Sequence, residues 1–294
     1  MTATRPQVRP ASSGPADRAG LLSQRRDIIL ALSAWILLFD AGHLPVMALV
    51  AAPFALLIAV PNRLRYEPRV WWLTAAVWAP SLFLGWIHME DHVWVGVYWL
   101  VAVGLALADD DFWATAAHHA RHLVGLVFGF AVAWKCASPA FLTGRTFEMV
   151  LLTDHRFRTV FGEWLGGLSP DQSAQNVAAW DELHDPAGAD VAIELLRGPR
   201  TAWLLGAMVV WTLLIETLIA VSFLAPDTSR LARWRHRSLL AFGWSVYPIV
   251  PVVGFASLFM VMGMTMTADN DRWFRLYAAS AVAFALAWAI PAAL

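Results

Sequence analysis

The chain has 294 residues, 59% of them hydrophobic and 15% charged, with a mean hydropathy of +0.56 and a formal net charge of −1. That composition excludes an ordinary soluble domain, and the balanced charge excludes a protein that grips nucleic acid or another polyanion. The apolar residues fall in long blocks, the pattern of helices that cross a bilayer, and many of the 17 Trp flank those blocks (Trp71, Trp72, Trp86, Trp94, Trp203, Trp273), as interface anchors do.

Residues 1–20 are rich in Pro, Ser, Gly and Arg, have no periodicity, and read as a disordered cytoplasmic arm. From residue 21 onward the chain reads as a single transmembrane domain with eight spans, at about 23–40, 44–60, 70–87, 92–108, 120–137, 201–224, 238–265 and 276–294. The first two are separated only by Asp40-Ala41-Gly42-His43 and form a hairpin or one long broken helix. Arg25-Arg26 also resembles a twin-arginine export signal, but further spans follow it. Arginine clusters precede span one (Arg5, Arg9, Arg18, Arg25, Arg26), follow span two (Arg63, Arg65, Arg69) and follow span six (Arg230, Arg233, Arg235, Arg237). With eight spans, all three lie on the cytoplasmic side.

The expected fold is therefore all-α: a polytopic integral membrane bundle of about eight transmembrane helices in the inner or plasma membrane, with its N-terminus in the cytoplasm. The long loop, 138–200, lies outside. Its stretch from Thr146 to Trp164 alternates aromatics with charge and reads as an external interfacial helix. The following LSPDQSAQNVAAWDELHDPAGAD reads as an exposed loop with a short helical turn.

Of 21 Lys+Arg residues, only Lys135 is a lysine, and it sits in an apolar run that breaks at Ser138-Pro139. An ammonium inside a bilayer costs roughly 2.5–3.5 kcal/mol on insertion scales. Lys135 shares a helical stripe with Val124, Phe128 and Ala131. It either snorkels to the headgroups or is a partly desolvated amine that serves as a general base. His92 opens span four beside Asp91, with Gly96 and Trp99 on its own face; it is either a solvated helix-start residue or a hydrogen-bonding partner for a substrate. Glu216 is an intramembrane carboxylate that is protonated, paired with another helix or part of a polar pocket, and pairing with an unnamed residue is the leading expectation. Gly125, Gly129 and Ala133 form a small-residue packing face. His118, His119 and His122 near Asp109, Asp110 and Asp111 have metal-compatible spacing, but they read more simply as the wet first turns of span five with Asp111 as N-cap. No metal site is expected. Nucleotide-loop, zinc-protease and nucleophile-elbow motifs are absent. The single Cys136 rules out an intrachain disulfide.

The stretches EDHVWVGVYWLVAVGLALADDDFW, AVAWKCASPAFLTGRTFE, WTLLIETLIAVSFL and SLLAFGWSVYPIVPVVGFASLFMVMGM follow one another in an order that resembles the membrane part of the vitamin K-dependent gamma-glutamyl carboxylases and the related bacterial HTTM domain. The resemblance implies Lys135 as a base that deprotonates a reduced quinone and His92 as its assistant, with Asp91 where the family has Asn. Trp99 on the face of His92, Phe128 on the stripe of Lys135, and Glu216, whose helix resembles the family's helix with an acidic residue midway, are expected as substrate-binding residues beside Asp91. Where that family places an aromatic-His pair, this chain reads Phe242-Gly243-Trp244, so the pocket rather than gamma-glutamyl carboxylation itself is what carries over. The function expected is a membrane enzyme, carboxylase- or lyase-like or quinol-linked, acting on a lipid-soluble molecule in an outward-facing pocket between spans four and five. The alternative is a non-catalytic subunit or scaffold of a larger complex, packed through its small-residue and Trp-rich faces. A secondary transporter would show inverted repeats, and none is visible.

Overall fold

The structure is a computed structural model. It describes residues 15–41, 45–84, 91–154, 157–183, 194–247 and 253–293, with side chains placed except at 15, 37–51, 81–93, 183, 253 and 287–293. Every regular element among these residues is helical: α1 (Pro15–Ala41), α2 (Pro45–Ala59), α3 (Pro68–Leu84), α4 (Asp91–Ala108), α5 (Phe112–Ala137), α6 (Pro139–Leu142), α7 (Arg145–Thr153), a π-helix (Arg158–Leu165), α8 (Pro170–Leu183), α9 (Thr201–Leu224), α10 (Arg235–Val246), α11 (Val253–Thr265) and α12 (Asp271–Ala293). Backbone contacts divide the chain into two compact units, residues 1–120 with 253–294, and residues 121–252.

Unit one packs α1 on α2, α2 on α3, α3 on α4 and α11 on α12, with α11 also meeting α1 and α4. Its interior is aromatic: Trp71, Trp78, Trp99 and Tyr277 are among the largest fully enclosed side chains. The α11–α12 contact needs Gly263, because a Cβ there would sit 2.3 Å from the Tyr277 ring. The arginine-rich ends collect at one end of this unit. Buried Arg25 donates to the Asp271 carboxylate and the Ala268 carbonyl and stacks on Phe274, 4.5 Å from the ring centroid. Arg26 lies over Tyr66 and Phe112. Arg65, 3% exposed, donates to the Ile58 and Ala59 carbonyls, the unsatisfied end of α2.

Several sequence expectations shift. Residues 15–20 are helical, since Pro15 at the first turn and Asp17 near it favour a helix start. Trp71 is no interface anchor: it is fully buried and donates to the Arg65 carbonyl at 2.8 Å. Of the expected span at 238–265, the described residues form α10 of 12 residues and α11 of 13, each about 18–20 Å long against the roughly 30 Å of a bilayer core, and residues 248–252 lie outside the described residues. The expected loop after residue 168 contains the 14-residue α8, started by a reciprocal cap: the Ser169 amide donates to Gln172 Oε1 and the Gln172 amide donates to Ser169 Oγ.

Among the described residues, two helices are long and apolar enough to cross a membrane, α5 and α9. Only 22% and 39% of their apolar windows are buried, so neither is the enclosed core helix of a soluble protein. Instead they display large apolar side chains, Leu126, Phe130 and Trp134 on α5 and Trp203, Val210 and Leu214 on α9. Surfaces of this kind mark association with a membrane.

Candidate functional site

The site lies in unit two and is built by α5, α9 and the chain that follows α5. The start of α5 is held by Asp111, whose carboxylate accepts from the Trp113 and Ala114 amides at 3.1 and 3.0 Å. Its far end stops at Ser138-Pro139. The Ser138 hydroxyl accepts from the Phe141 amide to start α6, and Gly144 turns the chain into α7 with φ of 78°, a conformation that only glycine adopts without cost.

α5 and α9 run antiparallel, and their register follows from close contacts. A Cβ on Gly125 would stand 2.7 Å from Leu224 Cγ, and one on Gly129 would stand 4.0 Å from Ala220 Cβ. The small-residue face singled out in the sequence is therefore where the two helices meet. At one end Arg121 of α5 donates to Asp227 at 3.0 Å, and Arg235 of α10 donates to the same carboxylate. The hydrogen bond from Arg235 chiefly holds the Asp227 carboxyl below the usual carboxylate range. Further along, Gly144 lies against Leu205, with a would-be Cβ 3.1 Å from Leu205 Cβ. So α5 ends beside the interior of α9, and α6 and α7 continue past it.

That register puts Lys135 opposite Glu216. Lys135 Nζ donates to both carboxylate oxygens, at 2.6 and 2.7 Å, and the side chains are 24% and 6% exposed. The amine also lies 5.6 Å from the Phe141 ring centroid. Glu216 is about 22 Å from the start of α9 and about 12 Å from its end, by residue rise. The lysine therefore does not stand alone, and the partner of Glu216 is the other charge within an apolar block that the sequence singled out. An ammonium and a carboxylate in this geometry carry no net charge between them.

Aromatic rings continue the site. Phe128, two turns before Lys135, is 3% exposed and meets Phe242 edge-on at 4.8 Å; Phe242 meets Tyr247 at 5.5 Å. Tyr247, 7% exposed, lies within electrostatic reach of Glu216. Sequence reasoning did not find Phe141 or Tyr247; the proline after Tyr247 was the available signal. On the far side of α9 its start packs on the outer segment, where Leu151 and Phe157 join Leu204 and Leu205 in a buried cluster. The expected interfacial helix is thus α7 and the π-helix docked on α9. Arg197 clamps it by donating to buried Glu148.

The remaining candidates fall elsewhere. Trp99 belongs to unit one, is 1% exposed, and donates its indole N–H to Ser33 Oγ at 2.9 Å, so it is a packed core residue with no surface left for a ligand. His92 and Asp91 stand in the first turn of α4, and their side chains lie outside the described residues. Asp40, His43, His88 and Glu90, which the eight-span reading put on the same membrane face as Lys135, likewise have side chains outside the described residues. No group of three or more metal-ligating side chains occurs among the described residues. Compared with protein-family models, curated proteins and solved structures, the chain matches none.

Proposed function

We propose that this chain is a multi-pass integral membrane protein of the inner or plasma membrane, whose second unit exchanges a proton with a lipid-soluble small molecule at Lys135 and Glu216. The observation behind the reading is the two-pronged contact between the only lysine and the only carboxylate of α9, opposite the interior of an apolar helix. Ionisable groups at that depth are costly, and they mark pathways and sites when they are kept. The break after α5 belongs with it, because irregular backbone at membrane depth is tolerated where protein or a cavity covers it.

The chemistry follows from the pair. When a hydroxyl of the molecule approaches Glu216, its proton passes to the carboxylate, and the oxyanion left behind faces the Lys135 ammonium. Net charge in the apolar layer is zero before and after, which keeps the step cheap in a low dielectric. A quinol, the molecule implied by the resemblance to vitamin K-dependent carboxylases, carries such a hydroxyl.

A second reading is favoured by the completeness of the contact: two charges that satisfy each other serve equally to staple α5 to α9 in a non-catalytic membrane subunit. One experiment separates the two. The full chain in bilayer nanodiscs, exposed to tert-butylhydroquinone, gives an infrared band of a newly protonated carboxyl that Glu216→Gln abolishes. Absence of that band, together with a Lys135→Met/Glu216→Leu double variant that complements a deletion strain fully, leaves the staple and removes the proton site.

A further inference from the structure

The second unit contains a recess, separate from the Lys135–Glu216 contact, whose walls come from α7 (Phe147), α9 (Ala207, Met208, Trp211, Thr212) and the end of α10 (Ser245). Its volume is about 230 Å³. A cavity of about 150 Å³ lined by apolar side chains holds benzene, so this one admits a substituted or fused ring. Its lining is almost wholly apolar, and it lies along the face of α9 where Ala207 and Trp211 are exposed. If α9 crosses the bilayer, that face meets acyl chains, and a ligand enters sideways from the lipid.

Two details make this more than a gap in packing. Trp211 Nε1 donates to Ser245 Oγ at 3.2 Å, tying α9 to α10 across the rim and holding a flat indole wall in place. Thr212 contributes the second hydroxyl of the lining, one helical turn before Glu216 on the same face. Side chains on a helix lean toward its N-terminus, so Glu216 leans toward Thr212. The recess thus offers an apolar slot for a ring, a hydroxyl at its edge, and a carboxylate one turn beyond.

We propose that this recess binds the ring of a lipid-soluble aromatic alcohol, entering from the bilayer, with the hydroxyl of the ring directed along α9 past Thr212. The proposal rests on the reading of the second unit as a membrane site, and it names the substrate class for that site. The probe is 4-fluoro-1-naphthol, followed by fluorine NMR with the full chain in phosphatidylcholine nanodiscs and empty nanodiscs as background. Saturable binding to the wild-type chain is expected. Ala207→Phe fills the slot from an exposed position, so it leaves the melting temperature within a few degrees and weakens binding at least 10-fold. Thr212→Val keeps the shape and weakens binding several-fold.

Partition into the nanodiscs with no saturable component, or undiminished binding by both Ala207→Phe and Met208→Trp, overturns the recess as a site. Saturable, Ala207→Phe-sensitive binding without the infrared signal of Glu216 protonation leaves the recess standing and removes the proton chemistry. The two ideas therefore fail separately.

Discussion

Arg65 in the first unit and Lys135 in the second are both cations taken out of water, and they are held in different ways. Arg65 is the more enclosed residue, yet it sits at a helix end and spends its donors on the Ile58 and Ala59 carbonyls that α2 leaves open. Arg25 does much the same at the Ala268 carbonyl and the Asp271 carboxylate. Each of these arginines finishes a piece of backbone that would otherwise be unsatisfied. Among the described residues, Lys135 donates to no carbonyl. Its donors go to a carboxylate opposite the interior of α9, and neither charge would need to be there without the other. Burial alone thus does not single out a candidate site. What separates the two is whether the buried cation answers a need of the backbone.

The sharpest break of that comparison is Glu216→Ala, which strands the Lys135 ammonium. The variant should lose about 3–5 kcal/mol of stability, read as a lowered melting temperature in nanodiscs, whereas Lys135→Met/Glu216→Leu together should cost little or stabilise. If the double variant is as unstable as the single one, the pair is not the unit described above. Next in size is Arg65→Met, which leaves two carbonyls of α2 without donors and should cost about 2–3 kcal/mol in the same melt. No apolar partner swap should rescue it, because the unmet need lies in the backbone. Gly125→Val drives a side chain into Leu224 and should cost about 1–3 kcal/mol, while Gly129→Ala, with 4.0 Å to spare, should be close to neutral. Equal effects would disprove the register that brings Lys135 to Glu216.

The smallest effect is one of pH. His236, at the start of α10, is pushed down to about 4 by burial and then by the neighbouring Arg235 charge. Its folded value lies below the ordinary 6.5, so the unfolded chain binds the extra proton first. The stability that this residue adds is whole above pH 6.5 and declines as the pH falls from there toward 4. Melts of the wild type and His236→Phe at pH 7 and pH 5 should show a wild-type loss that the variant lacks.

Much of this was legible in the sequence, though unevenly. Lys135 and Glu216 stood out separately, because a charged side chain in an apolar block breaks the pattern whatever its surroundings. Their partnership was hidden: it depends on how two helices more than 60 residues apart slide past each other, and that is set by Gly125 against Leu224. Asp111 as a helix cap and the Gly125–Gly129 face were also readable, since both are local rules. The burial of Trp71 and Trp99 had no local signal, because the same residue type serves both core and membrane edge. The π-helix from Arg158 to Leu165 has no counterpart in any sequence rule applied above.

One feature supplies its own ruler. The chain has a single thiol, Cys136, adjacent to Lys135 and exposed on the surface. A bulky sulfonated maleimide added to sealed vesicles therefore reports on that one depth with no engineering. Quick labelling would mean that water reaches the level of the amine, whereas resistance to it, relieved by an oil-soluble maleimide, would mean that acyl chains close over the position. The native protein thus carries a one-atom gauge of how wet its own centre is.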